Sequence, residues 1–219
     1  MENKPAKRQT KAAKKKLLIA MAVILGVLLL LSGASFLIDL IEQGKFNKIA
    51  EEKEVNYKFY PADFEANIFE NPEYLKLLDD GKVYIDFKEG GLTLGIPMED
   101  AYKYGEDLKF MTDVLSAIIY GNNDLYNGYF TDKYYETHSP KSKFTMQMLY
   151  NIKVERLSSG KAESENGGEY TQTVFGVEYR IFENNGTFRK DIGAGSKKQY
   201  ITVTNQGGQW RIDSITTVN

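Results

Sequence analysis

The period at which apolar residues recur changes along this chain, and each change predicts a different kind of element. From Leu17 to Ile38 the residues are apolar and uncharged. About 20 such residues, each rising about 1.5 Å in a helix, suffice to cross a membrane core. From Asp39 to Tyr57 the apolar positions thin to Ile41, Phe46 and Ile49 among Glu and Lys at helical spacing, which predicts a polar stalk helix. Glu73–Leu78 predicts a short helix stopped by Asp79-Asp80-Gly81. Val83–Phe87 and Leu92–Leu94 flank Lys88-Glu89-Gly90-Gly91 in the form of a hairpin. The aromatic content around it, with Tyr57, Phe59, Tyr60, Phe64 and Phe69, predicts that residues 57–95 dock on the rest as a lid or packing arm.

A longer helix is predicted from Pro97 to Tyr120. Proline suits its start, Glu99 and Asp100 suit the positive end of its dipole, and Gly121 suits its stop. Ala101, Tyr104, Leu108, Met111, Leu115 and Ile118 form one apolar stripe that needs a sheet to cover it. Asn122-Asn123-Asp124 offers a turn and an N-cap for a second helix reaching about Glu136. The period then falls to two. Met146, Met148, Tyr150, Ile152 and Val154 alternate with Gln147, Asn151, Lys153 and Glu155. Gly160–Gly168 reads as a polar turn. Thr171, Thr173, Phe175, Val177, Tyr179 and Ile181 predict a second strand, and Lys198–Asn205 and Gln209–Val218 two more. The expected fold class is α+β: a single N-terminal transmembrane helix, then a helix hairpin packed on a curved antiparallel sheet.

Charge orients this plan. Of 28 basic and 30 acidic residues, Lys4, Lys7, Arg8, Lys11, Lys14, Lys15 and Lys16 stand in the first 16 positions against Glu2 alone. Basic residues flanking a span stay in the cytoplasm, so the acidic remainder is expected outside. The domain plan is a cytoplasmic tail (1–16), a membrane anchor (17–41), a stalk with an accessory lid or hairpin (42–96), and an external domain (97–219). A cleaved signal peptide is the rival to the anchor, because Ser32 and Ala34 offer a small-x-small site. The anchor is favoured because apolar residues resume at Phe36, Leu37 and Ile38. The acidic body disfavours nucleic acid as a partner of the outer domain, since that affinity rests on Lys and Arg neutralising phosphates.

Candidate chemistry is thin. The absence of cysteine excludes disulfides and thiolate sites. With His138 the single histidine, no zinc or copper site, cofactor or catalytic set is predicted, and His138 itself reads as a surface residue. Asp79-Asp80-Gly81 and Asn122-Asn123-Asp124 lack the ligand spacing of a calcium loop and read as caps and turns. Asn185-Gly186-Thr187 has the form of a glycosylation acceptor. The tyrosines carry more information, because tyrosine tolerates a half-wet position and is favoured at recognition surfaces. Tyr104, Tyr120, Tyr126, Tyr129 and Tyr134, with Trp210, are the candidate groove residues.

The order of helix, short second helix and long strands, closing on Gly208-Gln209-Trp210-Arg211-Ile212-Asp213-Ser214-Ile215, resembles the cone-shaped α+β fold of nuclear transport factor 2 and ketosteroid isomerase. The resemblance spans residues 97–219. With a basic tail and one membrane helix in front, the layout is similar to inner-membrane assembly components of type IV secretion and conjugation systems. It implies an extracytoplasmic assembly module with other membrane or envelope proteins, or further copies of itself, as partners, and the thin catalytic inventory makes the expected module non-enzymatic. A fold of this kind hosts enzymes and binding modules alike, so a binder of small ligands or envelope components is the alternative expectation and an enzyme the third.

Overall fold

A computed structural model of the chain describes residues 57–164 and 167–217. The predicted basic tail, membrane anchor and most of the stalk helix lie outside the described residues. No helix among the described residues is long and apolar enough to cross a membrane.

The architecture is α+β. Six strands, β1 (Tyr84–Glu89), β2 (Leu92–Pro97), β3 (Met148–Glu163), β4 (Glu169–Phe182), β5 (Gln199–Thr204) and β6 (Arg211–Thr217), form one sheet in the order β2-β1-β3-β4-β5-β6. Neighbours run antiparallel except β1 and β3, which pair in parallel from Ile85 opposite Ile152 to Glu89 opposite Arg156. The sheet is therefore mixed, where an antiparallel one was expected. The difference comes from the 83–97 hairpin, which is built into the sheet rather than laid over it as a lid. Ile85 and Phe87 on β1 and Ile96 on β2 are buried, so the hairpin extends the core. No local pattern could announce this, because the β1–β3 pairing spans some sixty residues of intervening chain.

The short helix α1 (Pro72–Leu75) forms as its sequence dictates. Proline opens it, and the Asn71 side chain accepts from the backbone N–H groups of Glu73 and Tyr74. It delivers Tyr74, which is fully buried and donates its hydroxyl to the Leu149 carbonyl at 3.0 Å. Burial pushes the Tyr74 hydroxyl pKa up.

The long predicted helix is divided. Met98–Tyr104 is a tight 3-10 turn, Gly105 breaks the chain at φ 121°, and α2 (Glu106–Ile119) follows. On α2 the predicted stripe holds, with Leu108, Met111, Leu115 and Ile118 all buried against the sheet. Together they contribute on the order of 8 kcal/mol of gross burial energy. The second helix is also divided, into α3 (Asn123–Gly128) and α4 (Asp132–Tyr135). Between them the backbone turns extended and joins β6: Ile212 N–H donates to the Tyr129 carbonyl at 2.7 Å, and Thr131 N–H to the Ile212 carbonyl at 3.0 Å. Asp213, which stands at a register shift of β6, holds α4 through Lys133 at 2.9 Å.

Along β3 the expected alternation slips. Leu149, Ile152 and Val154 point inward, while Met148 and Tyr150 are only half-buried. Asn151, at φ 50°, occupies a register shift against β4 and resets the phase. Asparagine tolerates that left-handed conformation, and an extra residue of this kind bends the strand. Gln147, expected on the wet side, is buried and donates to Thr145 and Thr187. The strand also runs on to Glu163, past the predicted turn at Gly160. On β4 Thr173, Phe175, Val177, Tyr179 and Ile181 are buried as expected, whereas Thr171 is half-buried and Gly176, expected on the wet face, is buried.

Candidate functional site

Two concavities lie on opposite sides of α2. The outer one is a groove of about 420 Å³, with one wall from the outward residues of α2 and the other from Gly81–Val83, Pro97–Glu99 and Tyr102. Its rim carries the exposed Tyr102 and Tyr120, and the Tyr120 ring leans on Phe69 at 5.6 Å between centroids. The charges beside it are internally matched: Lys82 pairs with Glu99 at 2.6 Å and Lys109 with Asp113 at 2.7 Å. The turn that leads into the hairpin, its last residue Pro97 and the 3-10 turn that follows thus supply the second wall of this groove.

The inner concavity is a cavity of about 250 Å³ between the buried face of α2, α3, α4 and the β4–β6 part of the sheet. An aromatic knot closes one side. Tyr126 stands edge-on to Phe130, Phe144 and Phe188 at 5.2–5.7 Å. Burial, and then the neighbouring Tyr179, push its hydroxyl pKa up. At the mouth, Tyr134 stacks on His138 at 4.2 Å, and His138 is exposed, as expected.

Two cations line this cavity. Arg189 is buried and grips Asp191 through Nε at 2.6 Å and Nη2 at 2.5 Å, with its guanidinium 5.7 Å from the Tyr179 ring centroid. The Asp191 carboxylate raises the guanidinium pKa against the opposing effect of burial. Lys141 is half-buried, with its ammonium 5.1 Å from the centroid of the Phe188 ring. Burial, followed by the charge of Arg189, pushes its pKa down. Among the described residues, no carboxylate pairs with this ammonium at ion-pair distance.

The six predicted groove residues do not form one site. Tyr126 and Tyr134 line the inner cavity, whereas Tyr120 lines the outer groove. Tyr104 packs on Phe87 at 5.8 Å, and Tyr129 stands edge-on to Phe110 at 5.2 Å, so both act in packing. Trp210 is half-buried against the core. Asn185 is engaged within the fold: its amide donates to Thr145 Oγ1 at 2.6 Å and its carbonyl accepts from Thr187, which accounts for the Asn-Gly-Thr triplet as a turn. Sequence reasoning missed Tyr102, Lys141 and Arg189. Tyr179 was placed inward, yet its link to Arg189 had no signal in either segment.

No cluster of three or more metal-ligating side chains occurs among the described residues. No protein-family model, no curated protein and no solved structure matches the chain.

Proposed function

We propose that this protein is a membrane-anchored, extracytoplasmic and non-enzymatic binding module that docks an envelope or membrane protein, as in a secretion or conjugation assembly. The observation that carries this reading is the outer groove, where exposed Tyr102 and Tyr120 flank a trough whose charges are already paired. Tyrosine offers a large contact area at little entropic cost, and matched charges leave the apolar trough as the main source of affinity. The basic tail and apolar run before the domain support tethering, which raises the effective concentration of a partner on the same surface.

Two experiments test it. A photo-crosslinking residue at position 120 or 102 of the full-length chain is expected to capture the same membrane protein, and one at position 161, on the exposed β3–β4 hairpin, is not. The same adducts from all three positions, or none from any, would overturn the reading. Because the chain has no cysteine, a Lys161→Cys variant reports topology directly. A membrane-impermeant maleimide should label it in intact cells, and protection until lysis would place the domain on the wrong side.

A further inference from the structure

The geometry points to the inner cavity as a binding site for a small apolar carboxylate, with Lys141 as its counter-ion. Lys141 is held rigidly at the cavity, and its charge is left over once the others there are paired. Its backbone is clamped on both sides by α3. Lys141 N–H donates to Asn127 Oδ1 at 2.8 Å, and its carbonyl accepts from Asn123 Nδ2 at 2.7 Å and Asn127 Nδ2 at 2.9 Å. Asn127 is fixed in turn, since its own carbonyl accepts from the Tyr135 hydroxyl at 2.6 Å. A loop lysine is thus placed at the cavity with little freedom to swing its base away.

Charge counting then selects the ligand. Arg189 is neutralised by the fork to Asp191, so among the lining residues the lysine charge without a carboxylate at ion-pair distance is that of Lys141, with exposed Lys190 adding to the positive field from outside the lining. The ring of Phe188 offsets only part of the cost of removing an ammonium from water. One uncompensated cation in the lining calls for a monoanion, and a phosphomonoester dianion would find a second cation only outside the lining, at exposed Lys190. The remaining walls, from Met111, Leu115, Ile118 and Ile201, favour an apolar body, and about 250 Å³ limits it to a short acyl chain or a single aromatic ring. This site is separate from the outer groove and stands or falls independently of it.

The test uses the full-length chain in lipid nanodiscs and a lysine-acylating reagent at limiting dose, with labelling of Lys141 read against exposed Lys143 by mass spectrometry. The probes are 3-phenylpropanoate and hexanoate, their uncharged amides, and phenyl phosphate. Each acid is expected to protect Lys141 about tenfold better than its amide, with Lys143 unaffected. In an Ile215→Phe variant, which fills the cavity from β6, protection should be lost while Lys141 still reacts with the reagent. Equal protection by acid and amide, stronger protection by phenyl phosphate, persistence in Ile215→Phe, or no protection up to about 10 mM would each overturn the assignment.

Discussion

Arg156 on β3 and Arg189 in the loop after β4 are solvated by the protein in opposite ways. Arg156, against the start of α2, is saturated. It forks onto Asp107 at 2.6 and 3.0 Å, reaches Glu89 at 2.7 Å and the Tyr104 carbonyl at 2.8 Å, and lies over Phe87 and Phe175. Thr173 donates to the same aspartate at 3.1 Å. Arg189, at the inner cavity, has one carboxylate, and the same cavity is lined by Lys141 with none at ion-pair distance among the described residues. A partly buried charge with every partner supplied fastens elements together, and here ties α2 to β1, β3 and β4. A half-buried charge left without a counter-ion costs stability in the empty protein and is retained usefully where a ligand can supply the counter-ion. The difference gives Arg156 a structural role and leaves the charge at the inner cavity to the proposed ligand.

The largest test of this contrast is Asp107→Ala. It leaves Arg156 partly buried with only Glu89 as a charged partner, and should cost about 3 kcal/mol. Urea denaturation of the full-length chain in micelles, followed through Trp210, the single tryptophan, would measure it; a loss within error of zero would remove the clamp from the account. Next comes Gly105→Ala. A Cβ there would sit 2.7 Å from Asp107 Oδ1 and 3.0 Å from Arg156 Nη2, on a backbone at φ 121°. The combined strain and displacement should cost ~2 kcal/mol in the same assay.

Lys141→Met should act with the opposite sign. Removing a desolvated, unpaired ammonium while keeping its apolar stem is expected to raise stability by ~0.5–1 kcal/mol, and a clear loss would mean that Lys141 is structural. The smallest effect belongs to the outer face of the sheet. Glu155 lies between Lys88 at 2.7 Å and Lys198 at 2.8 Å. Hydrogen bonds from Lys198 and then Lys88 depress its pKa from 4.5 to about 2. A depressed carboxylate stabilises the fold fully above its unfolded value and loses that contribution as pH falls through its folded one. Acid titration should therefore show a decline between about pH 4.5 and 2 that is shallower in Glu155→Gln.

Local patterns were most legible where one period ran unbroken. The inward set Thr173–Ile181 on β4 and the Leu108–Ile118 stripe on α2 could be read directly, because strand and helix each repeat a side-chain direction at fixed intervals. The pattern failed where a single residue reset that interval. Asn151 moved Leu149 inward in place of Met148 and Tyr150, and Gly105 cut a predicted helix while holding the space into which the Asp107–Arg156 pair fits. The tyrosines were legible as core or groove wall but not as one site, and they range from buried Tyr126 to exposed Tyr120, since residues on separate helices share a concavity only when the same sheet closes over them.

The amino-acid sequence by itself determined the α+β class, the inner face of α2, the β-hairpins and the uneven charge between the first 16 residues and the remainder. These follow from local periodicity, turn chemistry and composition. Tertiary structure alone decided that β1 joins β3 in parallel, that the segments at the two ends of the hairpin form a wall of the outer groove, and that Lys141 meets Arg189 at one cavity. Those outcomes depend on contacts between residues distant in the chain, whose energies arise only when the intervening segments have folded and excluded water.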